Sequence, residues 1–294
     1  MTIRSNENRL GIDEGLLEHQ AEAPPLPAAA AQQAPAQLNF VIPTEFVELP
    51  SKGEFYSSQH PLHNKETVEI RHMTAKDEDI LTSRTLLKQG VALDRMLQNI
   101  LVDKSIRVKD LLLGDKNALI VSARINGYGA EYATKINCPA CETVITYKFD
   151  LNSLEVDHSL QDIMAHYDVT KTEDNTFLLP LPKTAYTVEL KLLTGHDETR
   201  LTELSKRRKK HKFAESGTTD QLKAVILSVN GHTDRAIINQ FVDSIPALDS
   251  RYLRKVYEKL MPNLDLTHKF DCEECGHMTE LEVPFTTDFF WTNN

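Results

Sequence analysis

The 294-residue chain contains four cysteines and no others, arranged as two C-x-x-C pairs: Cys138 and Cys141 in CPAC, Cys272 and Cys275 in CEEC. A C-x-x-C turn presents two thiolates from one tight bend, and two such turns supply the four soft ligands that zinc takes tetrahedrally. Knuckles that share an ion are usually separated by roughly 15 to 20 residues. Here equivalent cysteines are 134 residues apart, so the chain must fold back over a long loop for the pairs to form one site. Redox-active dithiols would need a thioredoxin-like strand and helix, and neither pair is followed by one. A metal-free nest of buried thiols remains the other alternative. His268 and His277 lie close enough in sequence to substitute for a ligand.

Each pair is flanked by segments that alternate and are rich in β-branched and aromatic residues, EYATKIN and TVITYKF around the first and LDLTHKF and MTELEVPF around the second. Both therefore read as strand, knuckle, strand. Gly276 suits a left-handed turn after the second pair, whereas Glu142 in the matching place does not, which predicts a less regular first knuckle.

The elements upstream of the knuckles also recur. TVEIRHMTAKDEDILT (67–82) aligns without gaps on TVELKLLTGHDETRLT (187–202) with eight identities in sixteen. The match includes a Thr-x-x-Asp helix start, Thr74 with Asp77 and Thr194 with Asp197. Amphipathic helices follow in both halves. One runs through AKDEDILTSRTLLKQG to a stop at Gly90, a second carries Leu93, Met96, Leu97, Ile100 and Leu101 on one face, and a third spans DKNALIVSARI. In the second half, QLKAVILSV and DSRYLRKVYEKLM read as helices, the latter stopped by Pro262. Two copies of one plan predict pseudo-twofold pairing, with the knuckles meeting at a single zinc ion per chain. The expected class is α+β: two duplicated, mainly helical halves with short strands, joined by a zinc-ribbon-like β element. The boundaries are 1–38, a flexible Pro/Ala-rich arm; 39–156, the first half with CPAC; and 157–294, the second half with a basic insertion and CEEC.

A net charge of −10 argues against a surface built for nucleic acid. The exception is the run SKRRKKHKF, where Lys206, Arg207, Arg208, Lys209 and Lys210 form a candidate partner-binding patch. It falls where about fourteen extra residues must enter the second half, since the repeat offset is 120 at the strand and helix but 134 at the cysteines. An acidic protein surface or a solvated helix end accounts for such a run without any recognition motif for nucleic acid. No segment has the length and apolarity of a membrane span, and the N-terminus lacks the apolar core of a signal peptide. Phosphate loops, nucleophile elbows and H-E-x-x-H pairs are all missing. His196-Asp197-Glu198 reads as a helix start rather than a catalytic group, so no enzyme activity is expected.

The segments LPSKGEFY (49–56), HMTAKDEDILTS (72–83) and LLLGDKNALIVSARINGYGAEY (111–132), with CPAC after them, resemble structural proteins of T4-type contractile-tailed phages, in the group of baseplate hub or hub-assembly subunits. That resemblance implies a virion tail protein, assembled in the host cytoplasm in multiple symmetric copies. Its partners would be tape-measure, tube or hub proteins, and it offers no catalytic residues. A nonvirion assembly chaperone and a zinc-ribbon nucleic-acid-binding regulator are the alternative readings.

Overall fold

The computed structural model describes residues 41–156, 160–211, 216–285 and 289–290; the arm of 1–38 lies outside them. The first half runs β1 (Thr44–Glu48), β2 (Thr67–Arg71), α1 (Ala75–Thr82), α2 (Arg84–Gln89), α3 (Ala92–Ile100), α4 (Leu113–Tyr128), β3 (Glu131–Asn137) and β4 (Val144–Asp150). The second continues with α5 (Leu160–His166), β5 (Thr170–Lys171), β6 (Phe177–Pro180), β7 (Thr187–Leu190), α6 (Gly195–Lys210), α7 (Gly217–Val225), β8 (Ile226–Val229), α8 (Arg235–Ser244), α9 (Ala247–Leu260), β9 (Thr267–Asp271) and β10 (Met278–Glu282). All strand pairing is antiparallel: β1 with β2, β3 with β4, β9 with β10, and a sheet in the order β5-β6-β7-β8. The architecture is α+β, as the alternation of helical and period-2 segments predicts.

Two local expectations are corrected. The segment 75–90 is broken at Ser83, whose extended backbone (ψ 108°) ends α1 and starts α2, while Gly90 closes α2 in the left-handed conformation (φ 75°). QLKAVILSV is helical only to Val225, and its last four residues become β8, where β-branched side chains pair with β7.

The same devices position both halves. Asp77 at the head of α1 accepts the N–H (2.8 Å) and hydroxyl (2.9 Å) of Thr74 and a two-pronged contact from Arg71 (2.7 and 2.9 Å). Asp197 at the head of α6 accepts the same two groups of Thr194, with Lys191 in the place of Arg71 at 2.7 and 2.8 Å. A second matched pair is absent from the sequence reading. Asp115 and Asp249, both fully buried, are each the third residue of their helix, α4 and α9. Asp115 accepts the N–H and hydroxyl of Ser51 (2.9 and 2.6 Å) and the hydroxyl of Tyr56 (2.7 Å). Asp249 accepts the N–H groups of Lys183 and Thr184 (2.8 and 2.9 Å) and the Thr184 hydroxyl (2.8 Å). Each carboxylate thus fastens the loop that leaves β1 or β6 to a helix N-terminus, where amide dipoles favour negative charge. Burial drives the Asp115 carboxyl upward, against the bonds from Ser51 and Tyr56.

The offset between halves is 120 at the capped helices, 125 where Leu101 bridges Ile70 and Ile226 pairs with Leu190, and 134 from α4 and α9 onward. The fourteen extra residues therefore do not all enter at the basic run. Five do so before α7, and nine enter where α8 stands.

Residues 42–294 make one compact unit, and its halves meet along non-equivalent segments. Leu113 N–H donates to Leu193 O (3.1 Å) and Gly195 N–H to Leu111 O (3.0 Å). Beside this seam the buried Lys116 ammonium bridges Asp94 of α3 and Glu198 of α6, each at 2.6 Å. A Cβ on Gly114 would lie 1.7 Å from the Pro262 carbonyl oxygen, so only glycine allows this approach. The C-terminal segment then clasps the first half: buried Arg124 donates to the carbonyls of Phe289 (2.7 Å), Glu131 (2.9 Å) and Gly129, and Tyr132 donates to Pro284 O (3.2 Å).

Burial alone would raise the Asp77 carboxyl, but Arg71, the Thr74 amide and Asn99 together hold it at about 2, below its ordinary 3.8. The folded value lies below the unfolded one, so this stabilisation is present above about pH 4 and is lost as pH falls toward 2. Urea unfolding should therefore show a loss of about 2 kcal/mol from this group between pH 5 and pH 2. Asp77→Asn should be less stable than the parent at pH 6 and should converge with it at pH 2.

Candidate metal centre

The hairpins β3-β4 and β9-β10 each end in a C-x-x-C turn, and the two tips meet. Cys138 Sγ lies 3.8 Å from Cys275 Sγ, and Cys141 Sγ lies 3.8 Å from Cys272 Sγ. All four sulfurs fall within 4.8 Å of one another, and all four are free thiols. Exchanging the halves turns each 3.8 Å contact into the other, so the tips obey the expected twofold relation, which the seam between the bodies does not. The first cysteine of each pair is buried and the second is exposed.

Both knuckles use the same backbone turn. Glu142 N–H donates to Cys138 O (2.9 Å) and Cys138 N–H to Thr143 O (3.0 Å); Gly276 N–H donates to Cys272 O (2.8 Å) and Cys272 N–H to His277 O (3.0 Å). Glu142 adopts φ 59° and Gly276 φ 66°. The expectation of a less regular first knuckle is therefore corrected: Glu142 accepts the left-handed conformation, because the paired strands fix the turn on both sides.

Apolar side chains support the tips from below. Phe270 packs with Cys138 and Cys272, flanked by Ile136, Ile145, Tyr147 and Leu281. The Tyr147 ring meets Phe270 edge-on at 5.5 Å, and its hydroxyl donates to Lys269 O at 2.9 Å, tying β4 to β9. His268 turns its ring onto Phe149 (5.2 Å), and His277 contributes its carbonyl to the turn. Among the described residues, the cluster able to hold a metal ion consists of the cysteines alone. The thiols are unequal: hydrogen bonds to the side chain and backbone of Thr143 bring Cys141 down to about 6. For Cys275, the backbone bond at His277 favours ionisation, yet desolvation and the neighbouring sulfurs push it up to about 12.

Soft thiolate donors suit zinc. With Zn–S bonds of about 2.3 Å, a tetrahedral site has sulfur-to-sulfur edges of about 3.8 Å; two of the six separations match this and all six stay within 4.8 Å. Four protein ligands would leave no open position, so the chemistry available is structural.

The basic run forms the exposed end of α6, and much of it is already engaged within the chain. Lys206 donates to the Gln89 carbonyl at the end of α2 (3.2 Å), and Arg208 pairs with Asp220 of α7 (2.9 Å). Among the described residues Arg207 reaches Glu203, at 3.9 Å and well exposed. His196, at the start of α6, contacts Asp110 (2.8 Å), and Asp197 next to it serves the helix cap. Sequence reasoning missed Asp115, Asp249, Lys116 and Arg124. The first two share the 134-residue offset of the cysteines, which was the available signal.

A family model described as T4 bacteriophage base plate protein matches residues 43–291. The chain belongs to that family. The match begins at the edge of β1 and runs past β10, so it takes in both halves and all four cysteines, well beyond the segments that carry the resemblance in the sequence. Comparison with curated proteins found no match, nor did comparison with solved structures.

The left-handed turns give a direct test of the two knuckles. A Cβ on Gly276 meets nothing within 4 Å, so Gly276→Ala isolates the backbone strain and should cost about 1 kcal/mol. Glu142→Gly should stabilise by about 0.5 kcal/mol. Chemical denaturation of both variants measures this, and opposite signs are expected.

Proposed function

We propose that the chain is a structural component of the phage baseplate, in the hub or inner baseplate, and that it acts by scaffolding. Family membership supports the baseplate assignment, and the match over 43–291 is the observation that carries it. In this reading the halves 39–156 and 157–294 are copies of one ancestral unit. The matched capping aspartates, the matched helix-head aspartates and the matched knuckles support that origin. Zinc is the group that the four thiolates fit, and it would hold Cys138, Cys141, Cys272 and Cys275 as one structural centre clamping the halves at the hairpin tips. The partners are neighbouring tube, tape-measure or hub proteins. Arg207 and Lys210 at the end of α6 are the cations of the basic run best placed for an acidic neighbour.

Mass spectrometry of purified phage particles should find the chain in stoichiometric amount; its consistent absence from finished particles would instead support an assembly chaperone. Elemental analysis should return one zinc per chain, and Cys138→Ser or Cys272→Ser should each abolish it and lower the unfolding temperature. Protein purified without chelators that contains no zinc contradicts the metal assignment.

A further inference from the structure

We infer that the four-thiol cluster is a site of oxidative modification, at which a peroxide joins Cys141 to Cys272 and Cys138 to Cys275 and so links the two halves by disulfides. The chemistry needs only the arrangement of the sulfurs. Its use, keeping the hairpin tips joined when a particle leaves a reducing cytoplasm for an oxidising medium, rests on the baseplate reading.

Four cysteines admit three pairings. One closes each knuckle on itself, Cys138 with Cys141 and Cys272 with Cys275. A second joins like to like, Cys138 with Cys272 and Cys141 with Cys275. The third follows the two 3.8 Å contacts, Cys138 with Cys275 and Cys141 with Cys272. A disulfide holds its sulfurs about 2.05 Å apart, so each of these contacts closes with a movement of less than about 2 Å.

Access selects the same pairing. In each 3.8 Å contact an exposed cysteine of one knuckle faces a buried cysteine of the other. A dissolved oxidant meets the exposed thiols, Cys141 and Cys275, while the sulfur that must complete each bond waits behind them. Like-to-like pairing would leave Cys138 and Cys272, each 1% exposed, to be oxidised out of reach of the oxidant. In the first knuckle, Cys138 Sγ accepts the Ala140 N–H (3.4 Å) inside a turn pinned by Glu142 N–H on Cys138 O. Closing Cys138 on Cys141 would pull against that turn. The contacts below the tips, Phe270 on Cys138 and Cys272 and the Tyr147 hydroxyl on Lys269 O, involve no ion and keep the facing sulfurs in register.

The reaction balances with peroxide as the oxidant. The exposed sulfur attacks peroxide and breaks its O–O bond, giving a sulfenic acid and one water. The buried sulfur of the opposite knuckle then attacks the oxidised sulfur, forms the S–S bond and expels the hydroxyl, which leaves with the remaining thiol proton as a second water. For each disulfide, two thiols are oxidised and one peroxide is reduced to two waters. A chain with both disulfides holds no thiolate for a metal. The two links span 137 and 131 residues of sequence, and a link across so long a loop restricts the unfolded chain strongly.

The experiment treats the full-length chain with dilute hydrogen peroxide, one sample as purified and one stripped of metal by a chelator. All four thiols should be lost to iodoacetamide labelling, and any zinc in the first sample should be released with them. Mass spectrometry of unreduced digests should find Cys141 linked to Cys272 and Cys138 linked to Cys275 in both samples. The oxidised stripped chain should unfold at a higher temperature than the reduced stripped chain. In Cys272→Ser, the Cys138 to Cys275 link should still form, and dimedone should trap Cys141 as its sulfenic acid; should that variant misfold, the linkage map of the parent decides alone.

Links within the knuckles overturn the inference, as do links between chains. So does sulfinic acid at Cys141 and Cys275 beside unreacted Cys138 and Cys272. Zinc-free purified protein contradicts the metal reading without touching the disulfide pairing, and within-knuckle links in a zinc-loaded chain do the reverse.

Discussion

Four thiols held within 4.8 Å of one another are a constraint that ordinary packing does not satisfy. Ionised together they repel, and protonated together they offer only weak hydrogen bonds. A divalent ion among them would remove the conflict, and two of the six sulfur separations already have the 3.8 Å such an ion requires. A bound ion would give the two hairpins a shared anchor. Each is a two-stranded ribbon with mostly exposed faces, a unit that is marginal in water by itself. Beneath the sulfurs, the Phe270 and Tyr147 contacts supply the rest of the hold.

The rest of the unit follows a different logic from the tips. At the knuckles, equivalent residues meet about a local twofold. In the bodies, Leu111 and Leu113 join Leu193 and Gly195, Gly114 abuts Pro262, and Arg124 grips the C-terminal segment. These are contacts between unlike segments. The two halves share their capping and helix-head aspartates and their knuckles, and the second carries α8 (Arg235–Ser244) where the first has no α-helix. The result is one compact unit held by contacts of both kinds. Most of its polar burial is spent on fixing loops to helix ends: Asp115 and Asp249 each satisfy three donors. Removing either would strand those donors in the interior, where an unpaired group costs about 1 to 3 kcal/mol.

Much of this was legible in the residues. The Thr-x-x-Asp caps, the strand-knuckle-strand pattern and the convergence of distant cysteines follow from local chemistry and repeated spacing. The edge of β8 was not legible, because Val225, Ile226 and Val229 fit a helical face as well as a strand, and only the presence of β7 decides between them. Glu142 was misread for a similar reason: an intrinsic preference against positive φ is a weak term beside a turn fixed at both ends. Lys116 was invisible, since its partners Asp94 and Glu198 are brought to it by tertiary packing alone. The basic run was read as an insertion facing solvent, yet Lys206 and Arg208 are held by α2 and α7, whose nearness no local pattern encodes.

The claim on which the account turns is that both knuckles bind one ion. X-ray absorption at the zinc edge, on protein purified without chelators, tests it most directly. The account predicts four sulfur neighbours at about 2.3 Å and no nitrogen or oxygen neighbour. Two sulfurs completed by lighter atoms would mean that the knuckles bind separately or not at all, and would contradict it.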